Sequence, residues 1–201
     1  MYYKSIFRSI RNYKINRIIK ILILSDFLVW SSNQLLAPIF AIFITDKIHG
    51  SLGVVGIASA IYLIVKSVFE IPVGTFVDKS KSERDDLIVA IAGTLLTAAV
   101  YFLYIFITDV WQIYLLQGVM GLGSALAFPG WYSIFTKHVD ENKVGFEWSL
   151  YDVVLGIGMA GTAALGGFMA TTYGFDTVFF IIGVLTGIGA FSLLLIKKIK
   201  I

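Results

Sequence analysis

The sequence predicts an all-α membrane protein: one bundle of six transmembrane helices built as a 3+3 inverted repeat. Three observations predict it. Hydrophobic residues make up 58% of the 201-residue chain and charged residues only 14%, a composition outside the range of soluble domains. The apolar residues gather in six stretches, near 22–44, 53–77, 87–107, 111–136, 148–170 and 177–196. Each is close to the roughly 20 residues that cross about 30 Å of hydrocarbon. They are too long, and alternate too little, for barrel strands, so their backbone groups must be satisfied within helices. Finally, Pro38 stands seven residues before Thr45 in the first span as Pro129 stands seven before Thr136 in the fourth. The topology sends those threonines to opposite faces, as a 3+3 inversion requires.

Residues 1–20 form a basic N-terminal segment. Tyr3, Ile6, Phe7, Ile10 and Tyr13 recur at helical spacing with Lys4, Arg8 and Arg11 on the other side. That suits either an amphipathic helix along the headgroups or a basic tail that only fixes topology. The bundle follows over 21–197, and 198–201 form a short tail. Span one is too long for a signal h-region, lacks an A-x-A site and carries Asp26, Asn33 and Gln34, so it reads as a retained helix. Of 16 Lys and Arg, only Lys47 falls in a loop on the far side and only Lys66 inside a span. By the positive-inside rule both termini and the loops after spans two and four are cytoplasmic, in the cell membrane. The net charge of +3 is thus a topology signal that calls for no nucleic-acid partner. The chain has no Cys, which excludes disulfides and thiolate chemistry.

Polar groups inside spans are costly and mark pathways by default. On span one Asp26, Trp30, Asn33 and Ala37 share a face, with Gln34 beside them. On span two Tyr62, Lys66 and Glu70 follow at four-residue steps, so the two charges can pair. Such a pair serves either a cavity or the locking of span two. Span four aligns Tyr114, Gln117, Gly121, Ser124, Phe128 and Trp131, and span five adds Asp152, a pathway candidate or a first-turn helix acid. Aromatics mixed with a few hydrogen-bonding groups are the usual lining of a site for an amphiphilic organic molecule. Pro38, Pro72 and Pro129 each remove a helical hydrogen bond, which either kinks the span or is tolerated in it. The small residues Gly53, Gly56 and Ala60, and Gly183 with Gly187, suit close helix packing.

Between spans two and three the chain reads Gly74, Thr75, Phe76, Val77, Asp78, Lys79, then Lys81 and Arg84. A carboxylate there can accept from a helix N-terminus while the cations pair with acids at adjacent helix ends, latching two helices. These residues resemble the G-x-x-x-D-R/K signature of the major facilitator superfamily, at the same place between second and third helices. The loop D-E-N-K-V-G-F-E-W-S after span four also resembles that family. Where the family continues with Gly and two basic residues, this chain has Lys81, Ser82 and Glu83, so Lys81 and Arg84 take the basic role. Gln117 and Gly118 match part of a span-four pattern whose arginine is replaced by Tyr114. The family's antiporter pattern in span five is approximated by Thr162, Ala163, Ala164, Leu165, Gly166 and Gly167.

The resemblance implies a half bundle of a secondary active transporter for small organic solutes, working by alternating access and resembling the drug and proton antiporter branch. Proton-coupled efflux follows from that branch. Members normally carry twelve helices, so the implied partner is a second copy in a homodimer or another half. The alternative is a truncated or auxiliary membrane subunit that regulates or scaffolds a transporter. No nucleophile and base pair, zinc spacing or phosphate loop occurs, and His49 and His138 fall on opposite faces. No enzymatic activity, cofactor or metal is expected.

Overall fold

The computed structural model describes residues 14–80 and 82–199. Most of the basic N-terminal segment, Lys81 and the last residues of the tail lie outside the described residues. What is described is helical almost throughout. The long helices are α1 (Arg17–Leu36), α2 (Leu52–Lys79), α3 (Glu83–Leu103), α4 (Val110–His138) and a run Val144–Ser192. That last run has 49 residues, about 74 Å at 1.5 Å per residue, far more than one crossing needs. It breaks at Gly174, whose φ of 81° and ψ of 163° are non-helical. A side chain is strained at such a φ, which is why glycine stands there. The two halves, 144–173 and 175–192, are α5 and α6.

Local chemistry sets the ends. Asn16 caps α1 by accepting from the Ile18 N–H, and Ser82 caps α3 by accepting from Arg84. Asp109 and Gln112 form a reciprocal capping box at α4. Pro38 ends α1: residues 37–39 turn, a single turn Phe40–Ile42 follows, and Phe43–Lys47 form a π-helical turn. Span one is therefore a broken helix. Pro72 and Pro129, by contrast, sit inside uninterrupted helices, because neighbouring elements in a bundle re-satisfy what proline frees.

The packing shows the inverted repeat directly. α1 packs on α5 and α6, while α4 packs on α2 and α3. Exchanging the first three helices for the last three maps one set of pairs onto the other. Glycines permit the closest crossings: a Cβ on Gly93 of α3 would lie 2.3 Å from the Ala127 nitrogen of α4, and one on Gly166 of α5 would lie 2.1 Å from the Leu35 oxygen of α1. Gly183 likewise abuts Phe102, but Gly56 and Gly187 face open space.

Two apolar clusters hold the bundle. At the end carrying the described termini, Ile19, Leu22, Trp131, Ile134, Phe135, Leu193 and Ile196 interlock. At the opposite end Phe43 meets Phe179 edge-on at 4.8 Å and Tyr104 stacks on Phe179 at 5.0 Å. Helix α2 is the exception. It buries only Ala58 and Val77 and presents Leu63, Ile64, Val68 and Ile71 outward.

Candidate functional site

Between the two clusters lies a cavity of about 380 Å³ walled by α1, α2, α3 and α4. Its place follows from the helix pattern. On α1 the cavity takes Asp26, Trp30, Asn33 and Gln34, the polar stripe of span one; α2 contributes Tyr62 and Lys66, and α4 contributes Gln117, Ser124, Phe128 and Trp131. α2 is held against α4 by Gly121, where a Cβ would fall 2.6 Å from the Tyr62 carbonyl oxygen. That crossing aims Tyr62 and Lys66 into the space. The Tyr62 hydroxyl donates to Ser124 at 3.2 Å across the same crossing.

Asp26 is the acid of the cavity. Tyr151 of α5 donates its phenol to Asp26 Oδ2 at 2.9 Å, and the indole of Trp30, one turn further along α1, is its other hydrogen-bonding neighbour. Both are neutral. Tyr151 is itself fixed against Trp131 at 5.1 Å, Phe135 and Trp148. Trp131 in turn donates to the Leu22 carbonyl at 3.4 Å and is 5% exposed, so this indole both packs and lines the site. On the opposite wall Tyr101 of α3 donates to Asn33 Oδ1.

Lys66 and Glu70 do not close the expected ion pair. The Lys66 ammonium lies over the Phe128 ring, 5.3 Å from its centroid, and among the described residues neither charge has an ionic partner. The ring of α4 lies within reach of the lysine stem, and a cation gains from the ring face. Glu70 instead lines a second pocket, about 460 Å³, with Gly74, Asp78, Phe128, Tyr132 and Lys137. Phe128 thus borders both spaces.

Two other candidates fall elsewhere. Tyr114 packs against the far-end cluster. Asp152 is exposed and sits in the third turn of α5, so it is not first-turn helix chemistry; the acid of that first turn is Glu147. The residue of this stretch that bears on the site is Tyr151, one position away, through its hydrogen bond to Asp26. Sequence reasoning also passed over Thr94, Thr97 and Tyr101, which line the α3 wall. Their three- and four-residue spacing was a readable signal of one polar face.

The structure shows a different latch from the one expected of the loop residues between spans two and three. Asp78, Lys79 and Arg84 are exposed and, among the described residues, have no ionic partner; Lys81 lies outside them. The helices are tied by Asp86 of α3, wholly buried, which accepts from Lys137 at 2.9 Å and Ser133 at 2.8 Å on α4. Beside it Glu83 faces His138 at 3.7 Å. Acids stand at the start of α3 and cations at the end of α4, which also suits both helix dipoles. In the next turn Lys143 holds the Asp140 carboxyl below its usual range through a 2.6 Å hydrogen bond.

Among solved structures the chain is similar to the POT family transporter PepTSo, crystallised in meso, with a TM-score of 0.77 at 19% identity. The likeness covers 92% of this chain but 38% of that one, so the chain spans under two-fifths of that transporter's length. No curated protein matches it. The Major Facilitator Superfamily model matches residues 22–200, nearly the whole bundle. The chain belongs to the Major Facilitator Superfamily and is a multi-pass membrane protein with the fold of one transporter half.

Proposed function

We propose that this chain is one half of a secondary active transporter that moves small organic solutes by alternating access, in a proton-coupled efflux cycle. The observation that carries the reading is Asp26: a carboxyl group on the wall of a cavity of about 380 Å³ among spanning helices, held among the described residues by the neutral donors Tyr151 and Trp30. Such a group accepts either a proton or a cationic group of a solute, and the competition between the two is the logic of exchange. Tyr151 holds the carboxyl in place in either state. Trp30, Tyr62, Phe128 and Trp131 supply the apolar body of the site, with Asn33, Gln34 and Gln117 as hydrogen-bonding points.

The second half is a second copy of this chain or another six-helix chain. The outward face of α2 and the exposed Asp78, Lys79 and Arg84, which have no ionic partner among the described residues, support a further bundle beside it. The basic residues support a cytoplasmic side for both termini, in the cell membrane. The test is flux of amphiphilic solutes in proteoliposomes holding the complex extracted from its own membrane, with and without a pH gradient. Flux that follows the gradient in the native chain and falls at least tenfold in Asp26→Asn supports the proposal. Gradient-independent flux removes the proton from it. Absence of flux with a retained partner transporter favours the second reading, a truncated or auxiliary subunit that regulates or scaffolds it.

A further inference from the structure

We infer that the solute taken by the central cavity is a zwitterion: an amphiphile carrying one ammonium and one carboxylate or other anionic group on a flat apolar body. This rests on the reading of that cavity as the solute site. Among the described residues, Asp26 and Lys66 are the only acid and the only base on its walls. They stand on different helices, and neither is neutralised by the other. Asp26 is met by the Tyr151 phenol and the Trp30 indole, and Lys66 by the face of Phe128.

Placing two opposite charges in a low-dielectric space without pairing them is costly for both. One ligand that presents both complements offsets both costs at once. A cation alone leaves Lys66 without a partner and sits beside its repulsion; an anion alone does the same at Asp26. The spacing suits one small molecule. Trp131 packs on the tyrosine that holds Asp26, and Phe128, whose ring the Lys66 ammonium overlies, is one turn away on α4, so both charges are tied to neighbouring turns of the same helix. Between them Trp30, Phe128 and Trp131 present rings to a flat body. Glu70, which could have neutralised Lys66 from its own helix, lines the other pocket.

The test uses three probes with one indole body: tryptophan as the zwitterion, tryptamine as the cation and indole-3-propionate as the anion. Tritiated forms are titrated by scintillation proximity onto the native complex in nanodiscs at neutral pH. The expected result is that tryptophan binds at least tenfold more tightly than either singly charged probe. Asp26→Asn should abolish its advantage over indole-3-propionate, and Lys66→Met its advantage over tryptamine, each leaving the other comparison unchanged. Lys66→Arg, which keeps the charge, should restore the native order and shows that loss in Lys66→Met is not misfolding. Equal binding of all three, tryptamine at least as tight as tryptophan, or no binding of any overturns the inference. Flux measured with the same probes separates the two readings. Tryptophan preference in binding without flux sinks the transport proposal alone, and flux of tryptamine without tryptophan preference sinks this inference alone.

Discussion

Asp26 and Tyr151 form the smallest unit whose chemistry can be read on its own. A phenol donates to the carboxyl across α1 and α5, a bond that is charge-assisted and of the kind worth about 1.5–3 kcal/mol whenever the carboxyl is ionised. Tyr151→Phe removes that donor and keeps the ring stack on Trp131 and Trp148. It should leave the fold intact while weakening pH-gradient-driven flux by about tenfold, the rate equivalent of 1.4 kcal/mol. An unchanged flux would show that the tyrosine only packs. Much of this site was legible as sequence: the stripe Asp26, Trp30, Asn33 and Gln34 faces one cavity because helical spacing puts it on one face. What could not be read was tertiary. No local pattern tells that Tyr151 crosses to Asp26, or that Lys66 turns to an aromatic ring on α4 instead of to Glu70 four residues on.

At the scale of elements, the α3–α4 latch and the α2–α4 crossing carry different kinds of risk. Asp86 is fully buried with Lys137 and Ser133 on one oxygen and, among the described residues, no hydrogen bond to the other. Breaking a fully buried pair from one side costs about 3–5 kcal/mol, and less here because Lys137 is partly exposed, whereas replacing both partners by apolar groups costs little. Lys137→Met should therefore lower the thermal unfolding midpoint in detergent markedly, and Asp86→Leu with Lys137→Met should recover most of the loss. Asp86 escaped the sequence reading, and Glu147 was read only as part of a loop motif, because each falls one residue outside the apolar stretch that defined its span. At Gly121 a larger side chain meets α2 backbone that cannot swing away, so Gly121→Leu should cost at least about 1–3 kcal/mol. Gly56→Leu, on an open face of α2, is its neutral control. In the following turn the Asp140 carboxyl is held low by Lys143. A depressed folded value stabilises above the unfolded one and is lost as pH falls through it, so hydrogen exchange at 140–147 should quicken only on acidification below the ordinary carboxylate range. Faster exchange on alkalinisation would reverse that assignment.

For the molecule as a whole, the question is what covers α2. Six spans, their order and the inverted pairing were legible because lipid imposes length and internal hydrogen bonding on every crossing. The joining of α5 to α6 through one non-helical glycine was not, because a single residue changes no hydropathy window. The partner is equally invisible in the apolar pattern, since an outward Leu or Ile satisfies lipid and protein alike. The proposed second bundle rests on the polar residues: Glu70, Asp78 and Lys79 lie along the same helix as the outward apolar side chains of α2 and, among the described residues, have no ionic partner. Lipid offers a carboxylate such as that of Glu70 nothing, whereas a second bundle can offer donors. Two parallel copies related by a two-fold axis along the membrane normal would present these groups to each other, as the two halves of a twelve-helix transporter do. Native mass spectrometry of the complex taken from its own membrane should then give twice the 22.2 kDa of one chain. In that dimer Asp78→Lys in every copy should shift the mass toward the monomer, because it replaces the acid that would face the other copy's Lys79 with a second cation across the same interface. A heavier complex containing a different membrane chain would assign the second half to that partner, and a single chain that still drives flux would remove the need for any second half.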